Sequence, residues 1–263
     1  MLRLENISCG YKEKIILNDL SFEFKSKKIV GIIGPNGSGK TTLLRAITKV
    51  VPLLEGNISF EGKDISVMSY REIARYIAVA NSDIEAQFDI SVEDFVALGR
   101  IPHQQPLQLF ENSHDLAAIE EALQMTEMIS LRTRPLRSLS AGERQMAIIA
   151  KALAQEPRLL LLDEPVVHLD ISHQGYILDL ISRLHREKDL SVIIVLHELN
   201  LASEYCDELI LLDKGRVVKS GDPHEVIKKQ IIEAIYKTEV VMAKNPVSGK
   251  PCVFISAKEQ NRG

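Results

Sequence analysis

Cysteine is scarce in this chain. Only Cys9, Cys206 and Cys252 occur in 263 residues, and they lie far apart. They form neither a metal-ligand spacing nor a disulfide framework. That excludes a disulfide-stapled scaffold and a zinc module, and a reducing cytoplasm fits best. Basic charge is short too: 32 Lys and Arg face 36 Asp and Glu, for a net charge of -4. A nucleic-acid binder usually carries a basic face, so no nucleic-acid partner is expected. No apolar run is long enough to span a bilayer, so work at a membrane needs spans supplied by another chain. The start, MLRLENIS, lacks the apolar segment of a secretory signal, and none is expected. Low-complexity tracts and internal repeats are absent. What remains is ordinary globular composition, 45% hydrophobic and 26% charged, sized for one large domain or two lobes sharing a core.

One stretch organises the chain. The run Ile29-Val30-Gly31-Ile32-Ile33 reads as a buried parallel strand. It leads into Gly34-Pro35-Asn36-Gly37-Ser38-Gly39-Lys40-Thr41-Thr42, which fits G-x-x-x-x-G-K-[ST], and TLLRAITKV then carries helical spacing. Strand, glycine loop and helix stand in the order a phosphate-binding loop requires. Gly34, Gly37 and Gly39 allow a tight turn that aims successive N–H groups inward. The helix N-terminus adds partial positive charge. Lys40 reaches terminal phosphates, and the Thr41 hydroxyl suits magnesium. The bland alternative is a plain glycine turn.

Before this loop, residues 2–7 alternate as a strand, and so do Leu20, Phe22 and Phe24. Lys25, Lys27 and Lys28 read as a solvated turn. After it come a short strand at Asn57–Phe60, a helix near Ser69–Tyr76 and an apolar Ile77–Ala80. From 81 to 157 the pattern becomes helical. Ser91 caps one helix with Asp94 three residues on, Ser113 caps a second, and a third starts at Ser140. This reads as a helical lobe inserted into a nucleotide-binding core of residues 1–80 and 158–263. In the second part, Arg158–Leu162 and Ser191–Leu196 read as strands. Asp213-Lys214-Gly215 is a hairpin turn. Helices near Pro223–Lys229 and Ile231–Tyr236 follow, then a last strand pair, Val240–Met242 with Val253–Ile255.

Three further features bear chemistry. Asp163-Glu164 closes a buried strand, where an α/β sheet places its ligand crevice. There Asp163 can hold magnesium and Glu164 can polarise water. His197 closes another strand, either as a site residue or as a core or capping histidine. Ser140-Ala141-Gly142-Glu143 contains S-x-x-E, a capping box. It is also a helix start that can offer free N–H groups to an anion. The other six histidines show no metal spacing.

GPNGSGKTT, LSAGERQ, LLLLDEP with HLD after it, and HELN occur in the order and approximate spacing of the ABC ATPases, and nearly the whole chain resembles that family. ALGRIPH, HLDISHQ and the segment from HELN through DPHEVI resemble ATP-binding subunits of iron-siderophore, haem and vitamin B12 importers. The resemblance implies an α/β P-loop NTPase with a mixed core sheet, an antiparallel β part and an inserted helical lobe. It implies that Tyr11 stacks on adenine and that Lys40, Thr41 and Asp163 bind phosphate and Mg2+. Glu164 becomes the catalytic base and His197 a γ-phosphate contact. Ser140 to Glu143 act in trans on ATP held by a second copy, with Asp170 in the loop joining the two sites. The implied assembly is an ATP-sandwich homodimer under two membrane-spanning permease subunits, fed indirectly by a substrate-binding protein. Its place is the cytoplasmic face of the cell membrane, where ATP hydrolysis drives uptake of a metal chelate.

The chain departs from the family pattern at three points. Ser82 stands where a glutamine that reaches the metal is usual. Ala141 replaces a glycine, and Val166-Val167 replaces Thr-Ser before His168-Leu169-Asp170. These departures keep open a regulatory module that holds ATP and hydrolyses it weakly. A soluble ABC protein acting on DNA or ribosomes fits less well, because the chain has one phosphate loop, no long coiled coil, no zinc cysteines and an acidic balance.

Overall fold

The computed structural model describes residues 1–12, 14–81, 89–105 and 111–256. The chain opens with β1 (Leu2–Tyr11), β2 (Lys14–Phe24), β3 (Ile29–Ile33) and α1 (Lys40–Ile47). Next come β4 (Leu53–Phe60), the short β5 (Lys63–Asp64), α2 (Tyr70–Ala74) and β6 (Ile77–Asn81). Three helices follow, α3 (Val92–Ala97), α4 (Ser113–Met125) and α5 (Ala141–Ala154). Then come β7 (Leu159–Asp163), α6 (Ile171–Lys188), β8 (Ser191–Val195) and α7 (Leu199–Tyr205). The described chain closes with β9 (Glu208–Asp213), β10 (Arg216–Gly221), α8 (Pro223–Val226), α9 (Lys229–Tyr236), β11 (Val240–Lys244) and β12 (Pro251–Ile255).

The central sheet has the order β10-β9-β3-β8-β7-β6. All its neighbours run parallel except the β9–β10 hairpin. Its middle strands read as unbroken apolar runs because both faces are covered. Alternate residues then serve different cores. Val30 and Ile32 of β3, Leu159 and Leu161 of β7, and Ile193 and Val195 of β8 pack toward α1 and the antiparallel sheet β2-β1-β4-β5. Ile29 and Ile33, Leu160 and Leu162, and Val192 and Ile194 pack toward α3 to α7. The sheet is therefore a wall between two hydrophobic cores. Among the described residues no helix is long and apolar enough to cross a membrane.

Several local expectations hold in the structure. The Ser91 hydroxyl accepts from Asp94 N at 3.1 Å and caps α3. Ser140 caps α5 in a full capping box with Glu143. The hairpin at Asp213-Lys214-Gly215 and the final strand pair are both present. Others need correction. The cap of α4 is Asn112, not Ser113. The Asn112 Oδ1 accepts from Asp115 N at 2.9 Å, and Asp115 Oδ2 accepts from Asn112 N at 3.2 Å. Ser113 becomes the first helical residue. The lysine turn is not merely solvated. Lys27 donates to Asp189 at 2.6 Å, and Lys28 pairs with Glu208, tying the entry of β3 to β9. The 18-residue α6 occupies a stretch for which the sequence reading names no element. It buries Ile177, Leu178, Ile181 and Leu184 on one face.

Between α3 and α4, Arg100 is 1% exposed. Its Nε donates to Asp115 Oδ1 at 2.9 Å, and its Nη1 donates to Ala154 O and Glu156 Oε2, each at 2.6 Å. A buried guanidinium persists only when its donors are satisfied. Here it joins the end of α3, the first turn of α4 and the last turn of α5.

Candidate functional site

β3, β8 and β7 lie side by side and run the same way. Their carboxyl ends therefore deliver Gly34–Thr42, His197 and Asp163-Glu164 to one edge, the crevice position of an open α/β sheet. The glycine loop turns there because its backbone is in the left-handed region at Gly37 (φ 78) and Gly39 (φ 106). Gly34 (φ 147) is required for a further reason: a Cβ there would lie 2.1 Å from Leu212 O. Ser38 N donates to Pro35 O at 3.2 Å, and Gly215 N donates to Ser38 O at 2.9 Å, fixing the loop. The buried Ser38 Oγ has no protein partner. Gly39 caps α1 with no side-chain bond, and no acidic residue stands in the first turn. The first N–H groups of α1 are thus left for an anion.

Lys40 curls back over the loop. Its Nζ donates to Gly34 O at 2.9 Å and Pro35 O at 3.1 Å. Burial holds its pKa below the usual lysine value, while the Glu164 and Asp163 carboxylates pull the other way. Thr41 Oγ1 donates to Asp163 Oδ1 at 3.3 Å. These are two hard oxygens facing each other beside the loop, a donor set that fits Mg2+. Glu164 contacts His197 Nε2 directly. Its backbone is left-handed, with φ 53, a conformation that a non-glycine residue holds only when its surroundings enforce it. Asn36, Gly37, Gly39, Lys40, Thr41, Thr42, Glu164 and His197 line one cleft of about 470 Å³, together with Lys14 and Ile16 of β2.

The other candidates fall elsewhere. Tyr11 is 44% exposed, is not among the lining of that cleft, and its hydroxyl accepts from Arg45 Nη1 at 3.1 Å. Ser140, Ala141, Gly142 and Glu143 form the start of α5. Glu143 sits below its ordinary carboxylate value because it accepts from Ser140. Asp170 caps α6 by accepting from His173 N at 2.9 Å. Its pKa is depressed by the Ser172 hydroxyl, then by the His173 N–H and ring. The starts of α5 and α6 touch: a Cβ on Gly142 would lie 2.4 Å from His173 Cδ2. Gly142, Glu143, Ser172 and His173 line a second cavity of about 350 Å³, which shares no lining residue with the first. Ser82 lies outside the described residues. Asn81, just before Ser82, pairs with Asp163 across β6 and β7.

The sequence reading missed Lys14 and Ile16, which reach the cleft only because β2 passes over it. It also missed Tyr236 at the end of α9. The Tyr236 hydroxyl is buried beside the Gly34 N–H, with no partner in hydrogen-bond geometry. Burial pushes its pKa up to about 12.

A family model described as ABC transporter matches residues 17–167. The uncharacterized ABC transporter ATP-binding protein YvrA of Bacillus subtilis (strain 168) is 36% identical over 260 residues, which is 99% of this chain and 59% of YvrA. The chain thus spans less than two thirds of that relative. The ferric enterobactin transport ATP-binding protein FepC of Escherichia coli (strain K12) is 39% identical over 252 residues, 96% of this chain and 93% of FepC. Among solved structures, an ABC transporter described as of the metal-chelate type, in an inward-facing conformation, matches with TM-score 0.85. It is 26% identical over 98% of this chain and 97% of that one. Dimeric ABC cassettes, one with ADP and Pi bound, also share the fold. By its sequence and its fold alike, this chain belongs to the ABC transporter family and is one of its ATP-binding, ATP-hydrolysing cassettes.

Proposed function

We propose that this cassette powers uptake of a metal chelate, of the iron-siderophore or cobalamin kind, through a separate permease. The observation that carries the chemistry is the convergence of Lys40, Thr41, Glu164 and His197 on one cleft, with Asp163 held against Thr41. Open loop amides and Lys40 bind the β- and γ-phosphates of ATP. Thr41 and Asp163 would hold Mg2+, which would supply positive charge beside those phosphates. Glu164 takes the proton of the attacking water while the bond from the γ-phosphorus to the bridging oxygen breaks and ADP leaves. His197 donates to the γ-phosphate, and its contact with Glu164 orients both groups. Ser82, which follows Asn81 in the chain, is proposed as a further residue for that metal.

The second cavity supports a paired assembly. The start of α5 lines a cavity that shares no residue with the cleft of its own chain, so Ser140 to Glu143 are assigned to ATP held by a second copy. Asp170 joins the two sites, and Tyr11 is assigned to the adenine side. Residues 81–157 form the helical lobe of the cassette, and 1–80 with 158–263 form its core. Two copies work beneath two permease subunits on the cytoplasmic face of the membrane, supplied by a substrate-binding protein. FepC and the metal-chelate transporter support the choice of cargo. Gentle co-purification from membranes tests the reading, and recovery of a permease together with chelate-dependent ATP turnover is the expected result. ATP binding without turnover, in the presence of that permease, would establish the weakly hydrolysing regulatory module instead.

A further inference from the structure

The hairpin β11–β12 grips α7 along its whole length. Val253, opposite Met242 in the hairpin, gives both main-chain groups to one side chain. Its N–H donates to Asn200 Oδ1 at 2.7 Å, and Asn200 Nδ2 donates to its carbonyl at 3.1 Å. Two residues earlier, Pro251 O accepts from Ser203 Oγ at 2.7 Å. Residues three apart on a helix share a face, so α7 covers the open edge of β12 as another strand would. At the far end of α7, Lys250 Nζ donates to Glu204 O at 2.7 Å and Cys206 O at 3.4 Å, where a helix favours a cation. Asn245 and Ser248 both donate to Glu204 Oε2, at 3.0 and 2.7 Å.

That grip matters because of what precedes α7. The helix has seven residues and no side-chain N-cap, too short to hold its own start in place. His197 lies two residues before it. Across α7, Tyr205 donates to Asp179 of α6 at 3.1 Å, and at the N-terminal turn the amide of Asn200 is the tie to the hairpin.

We propose that Asn200 is a positioning residue for His197: through it the C-terminal hairpin fixes the start of α7, and so the imidazole against Glu164. This rests on the reading of His197 as the γ-phosphate contact. A misplacement of about 1 Å costs up to about a hundredfold in rate. In the full chain with Mg-ATP, Asn200→Ala therefore lowers kcat about tenfold and leaves KM and ATP affinity within about twofold. Val253→Pro removes the same N–H from the strand side and gives the same split. The decisive measurement is the cycle with His197→Ala. If Asn200 acts through the imidazole, Asn200→Ala lowers kcat no further once the imidazole is gone, and the His197 ring resonances shift in the Asn200→Ala single variant. Equal losses in both backgrounds, or an unchanged kcat in Asn200→Ala, overturn the positioning role. A fully active His197→Ala overturns the site reading and this proposal with it, whereas an impaired His197→Ala beside an unaffected Asn200→Ala overturns this proposal alone.

Discussion

Replacing Arg100 with methionine keeps a shorter unbranched apolar stem and removes the charge. The guanidinium is 1% exposed, and its partner Asp115 is also buried. Removing one member of a buried ion pair costs about 3–5 kcal/mol, because the other charge stays in the interior. Loss of the donor to Ala154 O lies within the same range. For a chain of this size each kcal/mol moves Tm by about 2–4 °C, so Arg100→Met should melt about 10 °C lower. Adding Asp115→Asn removes the stranded charge and keeps an acceptor for the Asn112 N–H, so the double variant should regain more than half of the loss. Thermal melting by circular dichroism reads both numbers. If Arg100→Met loses less than about 1 kcal/mol, or the double variant is worse than additive, the buried pair is not what joins α3, α4 and α5.

Three other outcomes follow from the site. Lys40→Ala should abolish ATP binding in a folded protein, and fluorescent-nucleotide titration at wild-type affinity would refute the loop assignment. Glu164→Gln should still bind ATP but hydrolyse it at least about a hundredfold more slowly, with light scattering showing an ATP-held dimer. Ala141 opens α5 in helical conformation and is absent from the positions with positive φ. Ala141→Gly should therefore change the steady-state ATPase rate by less than about threefold, since glycine offers no conformational gain there. A gain of several tenfold would show that the native alanine impairs the site.

What could be read from the chain alone was local. GPNGSGKTT announces itself because loop, lysine and helix start are fixed within nine consecutive residues. Ser140 with Glu143 is legible because a capping box closes over three residues. Asn112 was mistaken for its neighbour because Asn and Ser both cap helices, and the choice turned on which side chain met the Asp115 amide. The contacts that cross the chain left no such mark. Arg100 looks like a loop arginine until Asp115 and Glu156 are seen around it, and only tertiary packing brings Lys14 and Ile16 to the cleft and Tyr236 to the Gly34 N–H. The apolar face of α6 does have helical spacing in the sequence, at Ile177, Leu178, Ile181 and Leu184.

The order of strands in the central sheet has a consequence for how the protein is made. β3 carries the phosphate loop, and both of its hydrogen-bonded neighbours, β8 and β9, come from much later in the chain. Ile33 leaves the ribosome about 160 residues before β8 is complete, an interval of roughly 8–30 s at ordinary synthesis rates. Throughout that time the strand lacks both of its sheet partners, and the face that carries Ile29 and Ile33 lacks the later elements that cover it. Nucleotide therefore cannot assist the nascent chain until synthesis passes residue 195, and a product released at 190 should be prey for chaperones and proteases whatever the ATP level in the cell.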